Sequence, residues 1–366
     1  MLAIEMLQGG HGDALVVEYG KGNRVRRLLV DAGTAHAYDA VRKRLLARRD
    51  ARYDAFVITH VDEDHIGGAV KLLQDPDLRH RIDHVWFNGY AHCKQGGNVL
   101  GPLDGERLTQ AITTGGYTWN APFAKPVSPK VGGPVVVPAT GDLPSFALEG
   151  GATLTLLSPT GPKLRRMATE WENVVVDAGL VPGKGTDLEA RAPKSWDKPV
   201  KALPDVLSPT QLSRLAAATA VDGSAANGAS IAFILEYDGA RALLAADAHP
   251  TPLVSGLRRY GRMKGEERVR IDICKLPHHG SRANVTTALI EAIDATCYLV
   301  STDGRTFGHP DDAALARVLC ASASSPRIYC NYASERTRGW IKRAKAAGGR
   351  VIVPGARETS MRVEVA

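Results

Sequence analysis

The sequence predicts a layered α/β fold with charged side chains gathered at the carboxyl ends of its strands. The apolar run 53–59 alternates too little for an exposed strand and is followed at once by charged side chains and then by a helical pattern over 66–74. Three short strands joined by glycine-containing turns precede this unit. In the second half, strand-like segments again end in polar residues, and the carboxyl ends of strands are where ligands gather in such folds.

The individual elements follow from periodicity and turn signals. Strands are predicted at 2–7, 14–19, 25–30, 53–59, 82–87, 152–158, 230–237, 242–246, 271–276 and 297–301. Helices are predicted at 36–49, 66–74 and 209–218, with one more in the basic run that holds Arg336, Arg338, Lys342, Arg343 and Lys345. Such a run is usually a solvated helix face, and contact with nucleic acid is the alternative.

The chain of 366 residues is expected to form one large domain over 1–366. Residues 91–220 are rich in Gly and Pro and contain few periodic elements, so we predict that about 91–220 forms an insertion or lid within this domain. About 325–366 is predicted as a basic C-terminal segment.

Composition narrows the class of protein. The formal charge of +7 is compatible with a polyanionic substrate, and 44% hydrophobic residues suffice for a packed core. The first ten residues lack the pattern of a signal peptide, and no apolar run approaches the roughly 20 residues of a membrane helix. Five cysteines without a C-x-x-C pair favour a reducing compartment and mostly buried thiols. We therefore expect a cytoplasmic protein with no membrane association.

Residues 60–65 have the composition of a metal site. His60, Asp62, Asp64 and His65 would repel one another or lose solvation if left empty, whereas divalent cations use all four as ligands. A solvated acidic loop would leave the histidines without a role. A calcium loop of the EF-hand type fails, because its fifth and twelfth positions, counted from Asp62, are apolar.

The second half supplies matching side chains at three predicted strand ends. Asp247 and His249 follow the first of these strands, and His278, His279 and Ser281 follow the second. His309 comes after the third, in the sequence Phe307-Gly-His-Pro310. Each position alone is weak evidence, but together they indicate one site.

With these motifs the chain resembles metallo-β-lactamase-fold hydrolases, in particular the branch that includes the hydrolase domain of the ComEC-type DNA-uptake proteins. The matching motifs occur in the order of that branch: Gly12-Asp13-Ala14, Val30-Asp31-Ala32-Gly33, the H-x-D-x-D-H of 60–65, Asp247-Ala248, His278-His279-Gly280-Ser281 and Gly308-His309-Pro310. The resemblance covers about 1–90 and 225–320.

The resemblance implies a four-layer αββα sandwich with a two-metal site at one edge. His60 and Asp62 would hold one ion, and Asp64 and His65 the other. Asp247 would bridge both ions, and His279, or alternatively His278, would complete the second. The residues expected around these ligands are Asp31, Asp13, Ser281 and Asn227.

Two features depart from the wider fold. Most members have a histidine where Asp62 stands, and a carboxylate there makes the site harder, so that manganese fits as well as zinc. The separate histidine that normally completes the first ion's ligands has no clear counterpart; His84, His92 and Asn227 are the candidates.

The expected function is a metal-dependent hydrolase, foremost a phosphodiesterase or nuclease that uses a metal-bridging hydroxide. Asp64 is placed in the catalytic centre, and His309 or His249 would donate a proton to the leaving oxygen. The expected substrate is a nucleic acid or nucleotide, and an unspecified protein partner is possible. The alternatives are hydrolysis of another ester, thioester or lactam on the same fold, and a degenerate protein that only binds nucleic acid or a partner.

Overall fold

A computed structural model describes residues 1–49, 51–93, 103–186, 200, 202–322 and 324–365. Its strands are β1 (Leu2–Leu7), β2 (Leu15–Lys21), β3 (Arg24–Val30), β4 (Ala55–Val57), β5 (His84–Trp86), β6 (Thr118–Trp119), β7 (Ser145–Ala147), β8 (Thr153–Ser158), β9 (Ala232–Tyr237), β10 (Ala240–Leu244), β11 (Val269–Ile271), β12 (Ile273–Lys275), β13 (Ile293–Ala295), β14 (Cys297–Val300), β15 (Arg327–Cys330), β16 (Arg350–Ile352) and β17 (Ser360–Val365). Its helices are α1 (Tyr38–Leu46), α2 (Glu63–Gln74), α3 (Tyr90–Cys93), α4 (Leu103–Gly115), α5 (Gly161–Asp177), α6 (Pro209–Ala216), α7 (Ala225–Gly228), α8 (Pro250–Lys264), α9 (Thr287–Ala292), α10 (Asp312–Ala321) and α11 (Glu335–Ala346).

Two large mixed sheets organise these elements. The first has the strand order β17-β1-β2-β3-β4-β5-β6, and the second has β16-β15-β14-β12-β10-β9-β8-β7. The strands that carry the polar ends are parallel to their neighbours: β3 pairs with β4, and β12 lies between β10 and β14. Their carboxyl ends therefore lie at one edge of each sheet.

The first sheet lies between two hydrophobic cores, and alternate residues of its strands point into one or the other. On β2, Leu15, Val17 and Tyr19 belong to the core shared with the second sheet, whereas Val16 belongs to a core under helices. Phe56 in β4 packs in this outer core as well. Because β2 and β4 are buried on both faces, the architecture is layered, and the predicted αββα sandwich is confirmed.

The strand and helix predictions hold with shifted ends, and three of them need correction. Helix α2 begins at Glu63, so Asp64 and His65 lie on its first turn rather than on a loop before it. The segment predicted as one strand at 271–276 is divided into β11 and β12, which join different sheets. Strand β4 spans three residues, because the chain turns into the site directly after Val57.

The part of segment 91–220 that the structure describes is not all peripheral. Strand β8 pairs with β9 inside the second sheet, and the Trp171 side chain on α5 is fully buried. The role of this segment as a lid stays a prediction. At the other end, the predicted basic C-terminal segment supplies strands to both sheets: β15 and β16 belong to the second sheet, and β17 pairs with β1 in the first.

The thiols and the helix lengths correspond to two expectations from the sequence. All five cysteines are free, and every one except Cys320 is buried, as predicted. Within the described ranges, no helix combines the length and apolar character needed to cross a membrane.

Candidate metal centre

The site is built where strand ends turn sharply. His60 follows β4, Asp247 follows β10, and His278 and His279 follow β12. Four non-glycine residues at or beside these turns have left-handed backbone angles: Asp31 (φ 54°), Ala246 (φ 46°), His278 (φ 48°) and His279 (φ 53°). Such angles are unfavourable for L-residues and persist only where the surroundings impose them, so their concentration here indicates a site with fixed geometry.

Gly12 allows the first motif to approach the cluster. A Cβ atom at this position would lie 1.6 Å from the carbonyl oxygen of Asp64, which no side chain can tolerate. The glycine of the Gly12-Asp13-Ala14 motif therefore has a steric reason, since it lets the loop after β1 pack on the start of α2.

Four side chains form a compact cage. The Nε2 atom of His279 lies 3.2 Å from Asp64 Oδ2 and 3.4 Å from Asp247 Oδ2. His65 Nε2 lies 3.2 Å from His279 Nε2, 3.4 Å from Asp247 Oδ2 and 3.9 Å from Asp64 Oδ2. Ligands about 2.1 Å from a tetrahedral metal ion are about 3.4 Å apart, so these separations fit one ion at the centre.

Four histidines present the same nitrogen to this region. The Nδ1 atom of His65 donates to Asp31 Oδ2 at 2.7 Å, and that of His279 donates to the Ser301 carbonyl at 2.8 Å. The His278 Nδ1 atom donates to Asn284 Oδ1 at 3.0 Å. A protonated Nδ1 leaves Nε2 with a lone pair, which is the form a metal-binding histidine needs.

The fourth histidine is fixed through a hydroxyl group. Thr59 Oγ1 donates its only proton to Asp31 at 2.7 Å, so it accepts from His60 Nδ1 at 3.0 Å. Asp31 thus orients His65 directly and His60 through Thr59. The Nε2 atom of His60 and the Oδ1 atom of Asp247 are buried without a hydrogen-bond partner among the described residues. Since buried polar atoms are normally paired, both are fitted to bind a cation.

In the cage, attraction between the histidines and the carboxylates outweighs the effect of burial on their pKa values. Burial alone would lower the pKa of His65, but the carboxylates of Asp247, Asp31 and Asp64 outweigh it and raise this pKa well above its usual value. Burial likewise opposes the charge of Asp247, yet His279, His65 and His278 hold the pKa of this carboxyl well below its usual range. The carboxylates therefore create a strongly cation-attracting pocket, and a metal ion would replace protons there.

The remaining predicted ligands lie beside the cage. His60 forms a three-residue cluster with His65 and Asp247. Asp62 Oδ2 is 3.5 Å from His60 Nε2, and 43% of the Asp62 side chain is exposed. Asp62 is the N-cap residue of α2, yet its side chain makes no capping hydrogen bond. The carboxylate is therefore not used by the helix and remains open toward His60.

Behind the cage, a buried ion pair supports His279. Lys275 Nζ lies 2.6 Å from Asp13 Oδ2, and both side chains are buried. The other oxygen of Asp13 is 3.4 Å from His279 Nδ1. The sequence placed Asp13 near the site but did not single out Lys275.

The three candidates for the missing histidine lie in different places, and one of them reaches the site. His84 is exposed at the start of β5. His92 is buried against Trp119, and burial lowers its pKa to about 4. Of the three, Asn227 alone reaches the site, where its Nδ2 atom lies 3.4 Å from His278 Nδ1.

Two predicted proton donors have different surroundings. The His249 imidazole lies between Lys163 Nζ at 2.6 Å and Asp222 Oδ1 at 3.5 Å, beside the site rather than in the cage. The ring of His309 packs 5.2 Å from that of His278. Ser281 is buried directly after the histidine turn.

Asp222 and Asn284 were missed by sequence reasoning. Asp222 Oδ2 accepts from Asn227 Nδ2 at 2.9 Å and from Asn284 Nδ2 at 2.8 Å, and it lies 3.4 Å from His278 Nδ1. Burial opposes the charge of Asp222, but hydrogen bonds from His249, His278 and these amides hold the pKa of its carboxyl well below its usual range. No local motif marks Asp222, because it lies in a segment without periodicity.

The family comparison agrees with this geometry. A family model described as the metallo-beta-lactamase superfamily matches residues 7–150, which include the 60–65 cluster. The match covers less than half of the chain, and over these residues the chain is similar to the metallo-β-lactamase superfamily. Within 7–150 the comparison supports the resemblance, and the mixed α/β architecture with its candidate metal ligands is consistent with the metallo-β-lactamase fold. The ComEC-type branch stays a prediction.

More distant comparisons add the following. No curated protein matches the chain. CmlA, a diiron β-hydroxylase from Streptomyces venezuelae, is 12% identical with a TM-score of 0.43, and the match covers 100% of this chain and 54% of CmlA. The chain therefore spans about half the length of CmlA. A Cronobacter sakazakii metallo-β-lactamase with a HARLDQ motif is 12% identical over 80% of this chain and 70% of its own, with a TM-score of 0.29. The Rm3 metallo-β-lactamase is 13% identical over 87% and 90%, with a TM-score of 0.30.

Proposed function

We propose that the protein is a two-metal phosphodiester hydrolase of the ComEC-type branch, with a nucleic acid or nucleotide as its substrate. The observation that carries this proposal is the arrangement of two ligand sets around one shared carboxylate, Asp247. A carboxylate-rich donor set suits the hard cations that assist phosphoryl chemistry.

Each ligand set would hold one ion. The set for the second ion comprises Asp64, His65, His279 and Asp247, whose separations fit a tetrahedral ion. For the first set we assign His60, Asp62 and Asp247, with His278 in place of the missing histidine. His278 Nε2 lies 3.7 Å from Asp247 Oδ2, and its Nδ1 atom is held in the donor form by Asn284. This assignment leaves His279 for the second set.

Bound divalent ions supply Lewis acidity and lower the pKa of water toward about 7. The protein residues fix the donor atoms, so that little reorganisation is needed when the substrate arrives. Asp31 keeps the His65 imidazole in one orientation, and Asp13 supports His279. His309, which packs on His278, is the residue we assign to hold a proton for the leaving oxygen.

Phosphodiester hydrolysis is preferred to lactam or thioester hydrolysis because of the aspartate at position 62 and the net positive charge. A protein that only binds nucleic acid would have no need for two buried atoms, His60 Nε2 and Asp247 Oδ1, that lack partners among the described residues. Zinc and manganese are both compatible with the donors. A cytoplasmic location belongs to the same proposal.

The test is a substrate panel with matched variants. After reconstitution with zinc or manganese, the protein should hydrolyse bis(p-nitrophenyl) phosphate and single-stranded DNA, but neither nitrocefin nor an acyl-thioester. The Asp64→Ala and His65→Ala variants should lose this turnover and bind less metal by elemental analysis. Turnover of nitrocefin alone, or phosphodiesterase activity that survives both substitutions, would exclude the proposal.

A further inference from the structure

A second cavity opens beside the metal centre. It has a volume of about 420 Å³ and is lined by Ser281, Arg282, Phe307, His309, Asp311 and Arg336, with Ala220 and Gly308. Ser281 is two residues from His279, and the His309 ring packs on His278. The cavity is therefore continuous with the histidine turn of the cage. Its volume is within the range of small-ligand sites.

Two arginines give the cavity a positive wall. Arg282 is exposed, and none of the ion pairs formed among the described residues involves its guanidinium group. The Arg336 side chain is 11% exposed, and its nearest carboxylate, Asp312, is 3.8 Å away. The Nε atom of Arg336 is buried without a hydrogen-bond partner in the described part of the chain. A buried guanidinium donor without an acceptor is suited to a bound anion.

Among the described residues, Asp311 is the one carboxylate that lines the cavity, and it contacts the protein itself. Its Oδ2 atom accepts from the backbone N–H of Arg282 at 2.8 Å, and it lies 3.7 Å from His309 Nδ1. Asp311 therefore positions the arginine and the histidine at the rim, and the arginine side chains remain available for an anion.

An exposed aromatic ring completes the cavity. Phe307 is 45% exposed, although it lies next to a buried active-site region. One neighbour is His309, whose ring is nearly parallel at 6.2 Å, and another is His11, whose ring is edge-on at 5.3 Å. Histidines hold the phenyl ring in place on two sides while much of its surface faces solvent. Such a ring is the element on which single-stranded bases stack.

We infer that this cavity binds the nucleotide next to the scissile phosphodiester of a single strand. Phe307 stacks on its base, and Arg282 and Arg336 bind its phosphate. The inference rests on the proposed function for the position of the scissile bond, but not for the binding itself. Stacking and phosphate contacts do not read base identity, so binding should tolerate any sequence.

Binding without turnover tests this inference. The probe is a short fluorescein-labelled oligothymidylate in EDTA, followed by fluorescence anisotropy. Phe307→Leu removes the π-face and keeps an apolar side chain, and it should weaken binding about tenfold. Arg282→Ala should weaken binding and reduce the salt dependence by about one counterion. Both residues are exposed, so the variants should fold.

Two control variants remove one positive charge outside the cavity, as Arg282→Ala removes one inside it. Arg338→Ala removes an exposed arginine from the same helix as Arg336, and Arg258→Ala removes one from a different cavity on α8. Both should bind the probe as the wild-type protein does. With metal present, Phe307→Leu should lower kcat/KM for the oligonucleotide about tenfold more than for bis(p-nitrophenyl) phosphate.

The outcomes separate the two proposals. Binding that depends on Phe307 and Arg282, in a protein without phosphodiesterase activity, would support the cavity and refute the proposed function. Binding that is absent, or equal in Phe307→Leu and Arg338→Ala, would overturn the cavity assignment whatever the enzyme hydrolyses. If inorganic phosphate displaces the probe while Phe307→Leu has no effect, the cavity is an anion site only and the nucleotide assignment is wrong.

Discussion

Two groups of buried charge in this molecule differ in what neutralises them. In the metal cage, Asp64 and Asp247 meet only imidazoles, and one oxygen of Asp247 has no hydrogen-bond partner within the described chain. At the far end of the first sheet, buried Glu5 on β1 meets two arginines: Arg44 Nε lies 2.6 Å from Oε1, and Arg48 bonds Oε2. Burial is similar, but only the Glu5 cluster contains its own fixed cations.

The difference distinguishes a structural ion pair from a binding site. Arginine is always protonated, so the Glu5 carboxylate is neutralised at every pH where the protein is folded. The cage is neutralised by histidine protons, which a metal ion can replace. Buried carboxylates that converge on titratable groups therefore indicate a site, whereas those that converge on arginines indicate a scaffold.

The largest expected effect comes from Asp247→Asn. Because Asp247 is shared by both ligand sets, the variant should lose bound metal, and its turnover should fall to that of the EDTA-treated wild-type protein. The metal-free variant should remain folded by circular dichroism. Asp294→Asn, which alters an exposed carboxylate on β13, is the control. A variant that retains two ions per chain would contradict the bridging role.

Glu5→Gln should have the opposite effect, a loss of stability without a loss of metal or turnover. It leaves two arginines beside a buried neutral group, so the free energy of unfolding should fall by about 3 kcal/mol, while metal content and kcat stay unchanged. Urea denaturation of the metal-free protein measures the change. Glu364→Gln, on the exposed end of another ion pair, should alter stability by less than about 0.5 kcal/mol. Equal effects of the two substitutions would contradict the comparison.

A smaller effect is expected in the pH dependence. Burial would raise the pKa of Glu5, but the hydrogen bond with Ser360, the charge of Arg48 and the hydrogen bonds from Arg44 and Arg48 lower it below its usual value of 4.5. The unfolded protein therefore binds this proton first as the pH falls, so the stabilisation is complete above about pH 4.5 and is lost as the pH falls through the lower folded value. The stability difference between wild type and Glu5→Gln should shrink on acidification; a constant difference would contradict the assignment.

Local sequence was sufficient where ligands are neighbours in the chain. Residues 60–65 run from the turn after a buried strand into the first turn of α2, so their side chains stay together whatever the rest of the fold does. The first three of the six motifs lie within residues 7–150, which match the superfamily model. The basic run on α11 was correctly predicted as a helix, but only the structure shows what its charged side chains contact. Lys342 pairs with Asp205, Arg343 donates to backbone carbonyls, and Arg336 lines the second cavity.

The sequence by itself determined the donor types and the strand-to-helix frame of the metal centre, because both depend on adjacent residues. Only the tertiary structure decided that His279 lies in the cage with Asp64, that Asn227 rather than His84 or His92 approaches His278, and that Asp222 and Asn284 hold this group in place. The choice between neighbouring histidines depends on left-handed backbone angles, and Asp222 lies 62 residues from Asn284, one of the two asparagines that it binds. Neither leaves a periodic pattern in the chain, since both arise from contacts between strand ends that are distant in sequence.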